Sequence, residues 1–217
     1  HMLPNLLGVY DKAEDIDFGP LPQRFVLKCT HGCGFNIFCK DKDLLDRGKA
    51  VRQLDAWMQE EFSKVYGEIH YSQIRPRIIC EEYLGDSEAN LPVDYKVYCF
   101  NGKPFCTNAC LERGENGQAI AYFIYDLAWE NKLPFEKSSL GLNKHIPKPS
   151  GYEEMIGAAE ILSKPFPFVR VDFYSVKGRA LIGEMTFTPS GCIDEGLTDL
   201  GQSILGDLLV LPGECIK

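Results

Sequence analysis

The sequence predicts an α+β fold with mostly antiparallel sheets, and three observations lead to this prediction. Asn101-Gly102 joins two runs rich in β-forming residues, which is the strongest short-range signal for a β-hairpin. A similar pair of runs flanks Val176-Lys177-Gly178 and predicts a second hairpin. Elsewhere, apolar residues recur three and four positions apart, as they do on core-facing helices. Hairpins interleaved with isolated helices are typical of two-layer α+β domains.

The elements follow from local patterns along the chain. β-rich runs bounded by turn residues predict strands over residues 24–29, 36–39, 77–84, 94–100, 103–113, 119–126, 168–174 and 179–187. Apolar residues at helical spacing predict one helix over 44–65 and a leucine-rich helix over about 194–209. A capping box from Ser150 to Glu153 predicts the start of another helix. The polar, proline-bearing stretch 130–149 is predicted to be a surface connection.

Size and composition exclude several classes of protein. The chain has 217 residues, which fits one large domain or two small lobes at roughly 100–200 residues per domain. Its hydrophobic fraction of 45% and charged fraction of 25% are those of an ordinary globular protein. A net charge of −8 gives no general attraction to nucleic acid. No apolar run approaches the ~20 residues of a membrane-spanning helix, so we expect no integral membrane segment.

Cysteine is unusually frequent, with nine residues in the chain. The odd number, and the position of most of them in apolar strand-like runs, favour small buried side chains over a disulfide framework. We therefore predict a cytoplasmic protein. Cys29, His31 and Cys33 resemble part of a zinc site, but no second Cys or His pair lies at the spacing that a structural zinc site uses.

The second predicted hairpin carries the most informative polar residues. Arg170 and Asp172 lie two apart on one strand, and Glu184 and Thr186 lie two apart on the next. Residues two apart share a face of a sheet, so a cation, two carboxylates and a hydroxyl can gather on one side. Such a set is able to hold Mg²⁺ against phosphates. The residues alone leave open the alternative that these carboxylates are solvated on an exposed face.

Two further segments have a possible nucleotide-binding role. Lys28 precedes a loop containing His31, Gly32 and Gly34, whose backbone N–H groups could face phosphates. By itself this pattern equally fits an ordinary turn. The strand 77–84 turns polar at its end and could present its backbone to an adenine, with a nearby carboxylate for ribose; the alternative is an edge strand that ends at the surface.

Taken in order, these features resemble the TupA-like ATP-grasp family, which is named for a teichuronopeptide-biosynthesis protein and is common in capsular polysaccharide gene clusters. The resemblance covers nearly the whole chain. It rests on FVLKCTHGCGFNIFCKDK (25–42), PRIICEEYL (76–84), DYKVYCFNGKP (94–104), YDLAW (125–129) and FPFVRVDFYSVKGRALIGEMTFTPSG (166–191). It implies two α+β lobes that grip a nucleotide, over 1–84 and 85–217, with a preceding lobe expected to be truncated.

The resemblance also implies roles for individual residues in binding ATP. Lys28 would contact the phosphates, and the loop bearing His31, Gly32 and Gly34 would cover them. The stretch that would contact adenine consists of Glu81, Glu82, Tyr83 and Leu84. Asp94 would reach the ribose.

Further residues match the catalytic and metal-binding elements of related ligases. Lys96 and Arg113 resemble the basic residues directed at phosphates, and Arg170 the arginine that stabilises an acyl phosphate. The implied Mg²⁺ ligands are Asp172, Glu184 and Thr186. Thr186 stands where the wider superfamily has asparagine, so the third ligand differs in this chain.

The implied activity is that of an ATP- and Mg²⁺-dependent carboxylate–amine ligase that acts through an acyl phosphate. The expected substrates are an amine and a uronic acid or amino-acid carboxylate of a surface polysaccharide precursor, with no nucleic acid. Two alternatives stay open: a kinase of a sugar hydroxyl, and a nucleotide-binding module without turnover. Either the ligase or the module could be fused to, or work with, a glycosyltransferase or another capsule enzyme.

Overall fold

The computed structural model describes residues 2–85, 92–111, 121–139, 142–211 and 213. The chain forms two compact units: Pro4–Glu88, and His1–Leu3 together with Ala89–Lys217. The strands and helices, in chain order, are β1 (Leu6–Tyr10), β2 (Phe25–Cys29), β3 (Asn36–Cys39), α1 (Arg47–Met58), α2 (Phe62–Tyr66), β4 (Ile78–Glu82), β5 (Asp94–Phe100), β6 (Lys103–Leu111), β7 (Ala121–Asp126), β8 (Lys132–Leu133), α3 (Tyr152–Ser163), β9 (Phe168–Val176), β10 (Arg179–Thr186) and α4 (Asp199–Asp207). None of these helices is long and apolar enough to cross a membrane.

The unit Pro4–Glu88 contains a four-stranded sheet in the order β1-β4-β2-β3, and every pairing in it is antiparallel. Its core gathers buried side chains of the sheet with Leu54 of α1 and Phe62 of α2. Asp46 caps α1, because its side chain accepts a hydrogen bond of 2.8 Å from the backbone N–H of Lys49. Strand β1 was not predicted from the sequence, where its leucines show no clear alternation.

The predicted single helix over 44–65 is wrong in its extent. The structure has two helices, and α1 ends at Met58, before the polar run 59–61. The apolar spacing continues across this break because Phe62 still packs in the core, edge-on against Phe35 and Tyr71. The period alone therefore could not reveal that the helix stops.

The larger unit is built on a six-stranded antiparallel sheet in the order β10-β9-β5-β6-β7-β8. Helix α3 covers one face, where Met155 and Ala159 pack among buried residues of the central strands. On the opposite face, α4 and the segment around Phe135 cover part of the sheet and contribute to a smaller apolar cluster. The two sheets and four helices confirm the predicted α+β class.

Both predicted hairpins of this sheet are confirmed. Asn101 and Gly102, which join β5 to β6, have φ values of 50° and 76°. Lys177 and Gly178, which join β9 to β10, have φ values of 51° and 80°. Two successive positive φ values give the tight turn whose twist matches that of the flanking strands, and this conformation favours Asn and Gly.

Strand β10 contains a β-bulge that the strand pattern did not predict. Ile182 lies opposite Phe173 and Glu184 lies opposite Asp172, so Gly183 is an extra residue in the ladder. Side chains alternate between faces, so without this insertion Glu184 would lie on the face that α3 covers. The bulge therefore brings Glu184 and Thr186 to the other face, while Met185 between them packs on the side that α3 covers.

Three helix and loop predictions need correction. The capping box is wrong, because α3 begins after Gly151, whose φ is 78°, and no side chain caps it. Helix α4 begins later than predicted, at Asp199, where Thr198 accepts a hydrogen bond of 3.1 Å from the N–H of Gly201. The stretch 130–149 is also more than a surface connection, since it contains β8 and buried residues such as Phe135 and Ile146. Trp129 anchors it by donating a 2.8 Å hydrogen bond to the carbonyl of Ile146.

Most cysteines are small buried residues, as predicted. Cys29, Cys39, Cys80, Cys99, Cys106 and Cys110 are buried, and Cys33 and Cys192 are exposed. Among the cysteines that the structure describes, none forms a disulfide.

Candidate functional site

One row of polar residues crosses the larger sheet on the face opposite α3. Glu184 of β10 pairs with Asp172 of β9, Asp172 pairs with Lys96 of β5, and Lys96 pairs with Asn108 of β6. Directly paired residues of an antiparallel sheet share a face and stand about 5 Å apart at their Cβ atoms. The register thus gathers four residues from four strands into one continuous polar cluster, which we call the polar row.

Asp172 is the centre of this cluster. Its side chain is only 4% exposed, and both oxygens accept hydrogen bonds from cations. Arg170 binds it through two nitrogens, with Nε 2.7 Å from Oδ1 and Nη2 2.8 Å from Oδ2. Burial opposes ionisation of Asp172, but the charges of Lys96 and Arg170 outweigh it and keep its pKa below the usual value.

Lys96 links the two buried aspartates. Its Nζ lies 2.5 Å from Oδ2 of Asp172 and 2.7 Å from Oδ2 of Asp94. Burial favours the neutral amine, yet these two carboxylates raise the pKa of Lys96 above its ordinary value. Asp94, predicted to reach ribose, is 2% exposed and lies under Lys96. At neutral pH the cluster therefore holds its charges in contact with one another.

Asp172, Glu184 and Thr186, the predicted metal ligands, lie on one face of the hairpin β9–β10. They supply two carboxylates and a hydroxyl, and Mg²⁺ prefers such hard oxygen donors. No group of three His, Cys, Asp or Glu side chains converges as a ready metal site in the described part of the chain. Asp172 is held by cations, and the Thr186 hydroxyl accepts a 3.1 Å hydrogen bond from Arg170. The donor set therefore fits Mg²⁺ once Lys96 or Arg170 releases an oxygen of Asp172.

A second charged pair lies in the unit Pro4–Glu88. Lys28 of β2 and Glu81 of β4 form an ion pair of 2.5 Å, and their side chains are 26% and 16% exposed. Val26 pairs with Glu81, so Lys28 and Glu81 are diagonal neighbours on one face of the sheet. The predicted phosphate-binding lysine and one residue of the predicted adenine stretch thus lie together.

The loop after β2 is held by aromatic packing. Phe35 is buried and stacks on Trp57 at 5.5 Å, with Phe62 edge-on at 5.7 Å. His31 is also buried, and its Nε2–H donates a 3.0 Å hydrogen bond to the carbonyl of Trp57. A Cβ on Gly32 would lie 2.6 Å from the ring of Phe35, so glycine is required there for close packing. The imidazole is thus turned into the core of its unit, and Gly34 is left exposed.

The remaining residues predicted to contact adenine have other partners. The carboxylate of Glu82 accepts hydrogen bonds of 2.9 Å from the backbone and the side-chain amide of Asn5. The guanidinium of Arg24 lies 4.2 Å from the ring centroid of Tyr83. Tyr83 and Leu84 directly follow the end of β4, where backbone groups are no longer committed to the strand ladder. Arg113, predicted to act on phosphates, lies outside the described residues.

Two features of the polar row were missed from the sequence. Asn108 is 4% exposed beside Lys96, but an asparagine within a β-rich run gives no signal by itself. Gly183 creates the bulge that turns Glu184 toward Asp172. An isolated glycine in a strand pattern often marks a bulge, so this signal was available.

The match to a family model decides the family of this chain: residues 2–210 match the model of the TupA-like ATP-grasp proteins. The chain belongs to the TupA-like ATP-grasp family. No curated protein sequence shows a significant match.

Solved structures support the same fold. The D-alanine–D-alanine ligase of Bacillus anthracis, complexed with ATP, superposes with a TM-score of 0.54 at 15% identity, covering 96% of this chain and 59% of the ligase. The D-cycloserine synthetase DcsG superposes with a TM-score of 0.50 at 12% identity, covering 95% of this chain and 65% of the synthetase. This TupA-like chain thus spans less than two thirds of the length of either protein, and the likeness establishes the ATP-grasp fold.

Proposed function

We propose that this protein is an ATP- and Mg²⁺-dependent ligase that joins a carboxylate to an amine. The observation that carries the proposal is the buried Asp172, kept ionised by Lys96 and Arg170 and paired across the hairpin with Glu184. A structural sheet face has no need of such a cluster, because replacing buried ion pairs by apolar residues is often neutral or stabilising. Membership of the ATP-grasp family supports ATP as the nucleotide.

In this proposal Asp172 and Glu184 hold Mg²⁺, and Thr186 is the third oxygen donor. The metal supplies a positive charge that offsets the charge on the phosphoryl oxygens during transfer. Lys96 and Arg170 are then available to the phosphoryl group, and Arg170 keeps the geometry of a bidentate anion binder. Arg113 is proposed to act on the same group.

We propose that the unit Pro4–Glu88 provides the other contacts to ATP. Lys28 would leave Glu81 for the phosphates, and the loop with His31, Gly32 and Gly34 would contribute backbone N–H groups. The packing of Phe35 against Trp57 and Phe62 supports a preformed loop, which loses little conformational entropy when it binds a ligand. The segment 81–84 would contact adenine. Asp94 would reach the ribose only after its ion pair with Lys96 breaks.

The reaction follows from these roles. A carboxylate oxygen of the substrate attacks the γ-phosphorus, the bond to the bridging oxygen breaks, and ADP leaves. The amine then attacks the carbonyl carbon of the acyl phosphate, loses a proton and expels inorganic phosphate, which leaves an amide. The residues of the protein position the reactants and stabilise negative charge, so no nucleophilic side chain is needed.

The proposed carboxylate substrate is a uronic acid or an amino acid of a surface polysaccharide precursor. The support for this class is the family, whose name derives from teichuronopeptide biosynthesis. The cations Lys96 and Arg170 suit a carboxylate.

The test is a reaction of the purified protein with ATP and Mg²⁺ against a panel of uronic acids and amines. We expect ADP and phosphate to be released with one carboxylate–amine pair, and mass spectrometry to show the amide. A stable phosphoester would instead identify a kinase. Nucleotide binding without turnover on any pair would identify a binding module, and the variant Glu184→Gln serves as the inactive control.

A further inference from the structure

The side-chain amide of Asn108 is the one group of the polar row that the ligase reaction has not used. Asn108 is 4% exposed, and its Oδ1 is buried without a hydrogen-bond partner in the described part of the chain. Leaving a buried acceptor unsatisfied destabilises the folded state. A buried polar atom that lowers the stability of the folded protein and forms no hydrogen bond is a candidate for a role in another state of the protein.

The neighbour of Asn108 across the sheet is Lys96. Lys96 lies on the middle strand of three, paired with Asn108 on β6 and with Asp172 on β9. Among the described residues, its Nζ contacts Asp172 of β9 at 2.5 Å and Asp94 of its own strand at 2.7 Å, and no acceptor of β6. An ammonium group has three donors, so one N–H of Lys96 is left for a third acceptor.

We propose that Lys96 has two positions, and that Asn108 is the positioning residue for the second. In the first position Lys96 holds Asp172, as observed. In the second, one N–H of Lys96 donates to Oδ1 of Asn108, and Oδ2 of Asp172, which then keeps only its hydrogen bond from Arg170, has a lone pair for a divalent cation. The inference rests on the metal site of the proposed function.

The charges explain why the two positions alternate. A cation that approached Asp172 in the observed arrangement would meet Lys96 and Arg170, each within 3 Å of the same carboxylate. Like charges at such separations repel strongly in a buried site. Nucleotide phosphates bring negative charge and a new partner for both cations. The divalent cation is therefore expected to bind with the nucleotide and only weakly without it.

The test measures binding of Mn²⁺ by electron paramagnetic resonance, with and without ADP, and with ADP and Mn²⁺ alone as the blank. For the wild type we expect protein-bound Mn²⁺ chiefly when ADP is present. Asn108→Leu removes the acceptor and should weaken Mn²⁺ binding in the presence of ADP about tenfold, because a hydrogen bond to a charged group is lost. Its melting temperature should equal or exceed that of the wild type, because an unsatisfied amide is removed.

Asn108→Asp provides the opposite change. A carboxylate opposite Lys96 should draw it away from Asp172 and give measurable Mn²⁺ binding without ADP. This gain should vanish in Asn108→Asp combined with Asp172→Asn, whereas a gain that persists would place the metal on the new carboxylate and overturn the proposal.

One result for the wild type and one for Asn108→Leu would also overturn the proposal. Equal Mn²⁺ affinity of the wild type with and without ADP would show that Lys96 does not block the site. Unchanged binding by Asn108→Leu would show that Asn108 does not position Lys96. These outcomes differ from failure of the proposed function, for which the wild type would bind no Mn²⁺ even with ADP.

Discussion

Arg170 binds Asp172 through two nitrogens from two positions away on the same strand, at 2.7 and 2.8 Å. The planar guanidinium forms two parallel hydrogen bonds to the carboxylate, which adds geometric specificity to the ion pair. Asp172 is thereby fixed in orientation and in its ionised state, while Glu184 opposite remains partly exposed. The two proposed metal ligands thus differ in what their replacement should do.

Glu184→Gln should abolish ATP turnover with little loss of stability. The change removes one proposed ligand charge but leaves the buried pair of Arg170 and Asp172 intact. Rates of ADP release and thermal melting provide the measurement, with Glu153→Gln as the control, because the Glu153 side chain is 79% exposed on α3. Turnover equal to that of the wild type would exclude Glu184 from the metal site.

Asp172→Asn should abolish turnover and also destabilise the protein. Removing one partner of a buried ion pair costs about 3–5 kcal/mol, since Lys96 and Arg170 lose their compensating charge. Chemical denaturation compared with that of Glu184→Gln measures the difference. A stability equal to that of the wild type would contradict the central position of Asp172 in the cluster.

Gly183→Ala should lower activity by disturbing the bulge. A Cβ at this position would lie 2.7 Å from the ring of Tyr174, so the strand or the ring has to shift. Glu184, the next residue, would move with it. The matched control is Gly157→Ala, which meets open space within the exposed face of α3 and should stabilise the helix by about 0.5–1 kcal/mol. Full activity of Gly183→Ala would show that the bulge is not needed.

Stability should depend on pH through Glu136. The residue is 5% exposed, and burial followed by the charge of Asp194 raises its pKa above the ordinary 4.5. Because the folded state holds the proton more tightly than the unfolded state, this group favours folding at low pH and opposes it as pH rises through the raised pKa. Glu136→Gln should therefore melt at a higher temperature than the wild type near pH 8. The difference should disappear below pH 4.5, and its absence at every pH would contradict the assignment.

The buried thiols should resist alkylation. Burial raises the pKa of Cys29, Cys80 and Cys99 to about 12, so almost no thiolate is present at pH 8. Brief treatment of the folded protein with iodoacetamide should modify Cys33 and Cys192, and peptide mass spectrometry locates the label. Denatured protein, in which every thiol reacts, is the control. Labelling of Cys80 as fast as that of Cys33 would contradict the buried core.

The sequence predicted the fold class and both tight hairpins because their signals are local. Asn101-Gly102 and Lys177-Gly178 adopt the backbone conformation of their turns. The alternation of residues on either side predicts the flanking strands. Helix limits were less predictable. The apolar period ran through the break before Phe62, and Ser150 satisfied a capping pattern although Gly151 occupies the N-cap.

Glu184, Asp172 and Lys96 of the polar row were individually visible in the sequence, but Asn108 and the grouping of the four residues were not. Arg170 and Asp172 share a face by spacing alone, and the hairpin brings Glu184 near. The contacts of Lys96 and Asn108 depend on which strands are neighbours and in what register, and no local pattern specifies that. Asp94, which is expected to reach a ribose, lies buried beside Lys96 through the register of β5, and no local pattern indicates that contact.

The pairing of Lys96 with Asp172 joins residues 76 positions apart in the chain. Closing so long a loop is slow, since its entropic cost must be met before the contact stabilises anything. Until β9 docks on β5, each of the two charges is better solvated alone than buried. The polar row consequently completes only when β9 pairs with β5, and recovery of the proposed metal and nucleotide binding during refolding should trail the recovery of secondary structure.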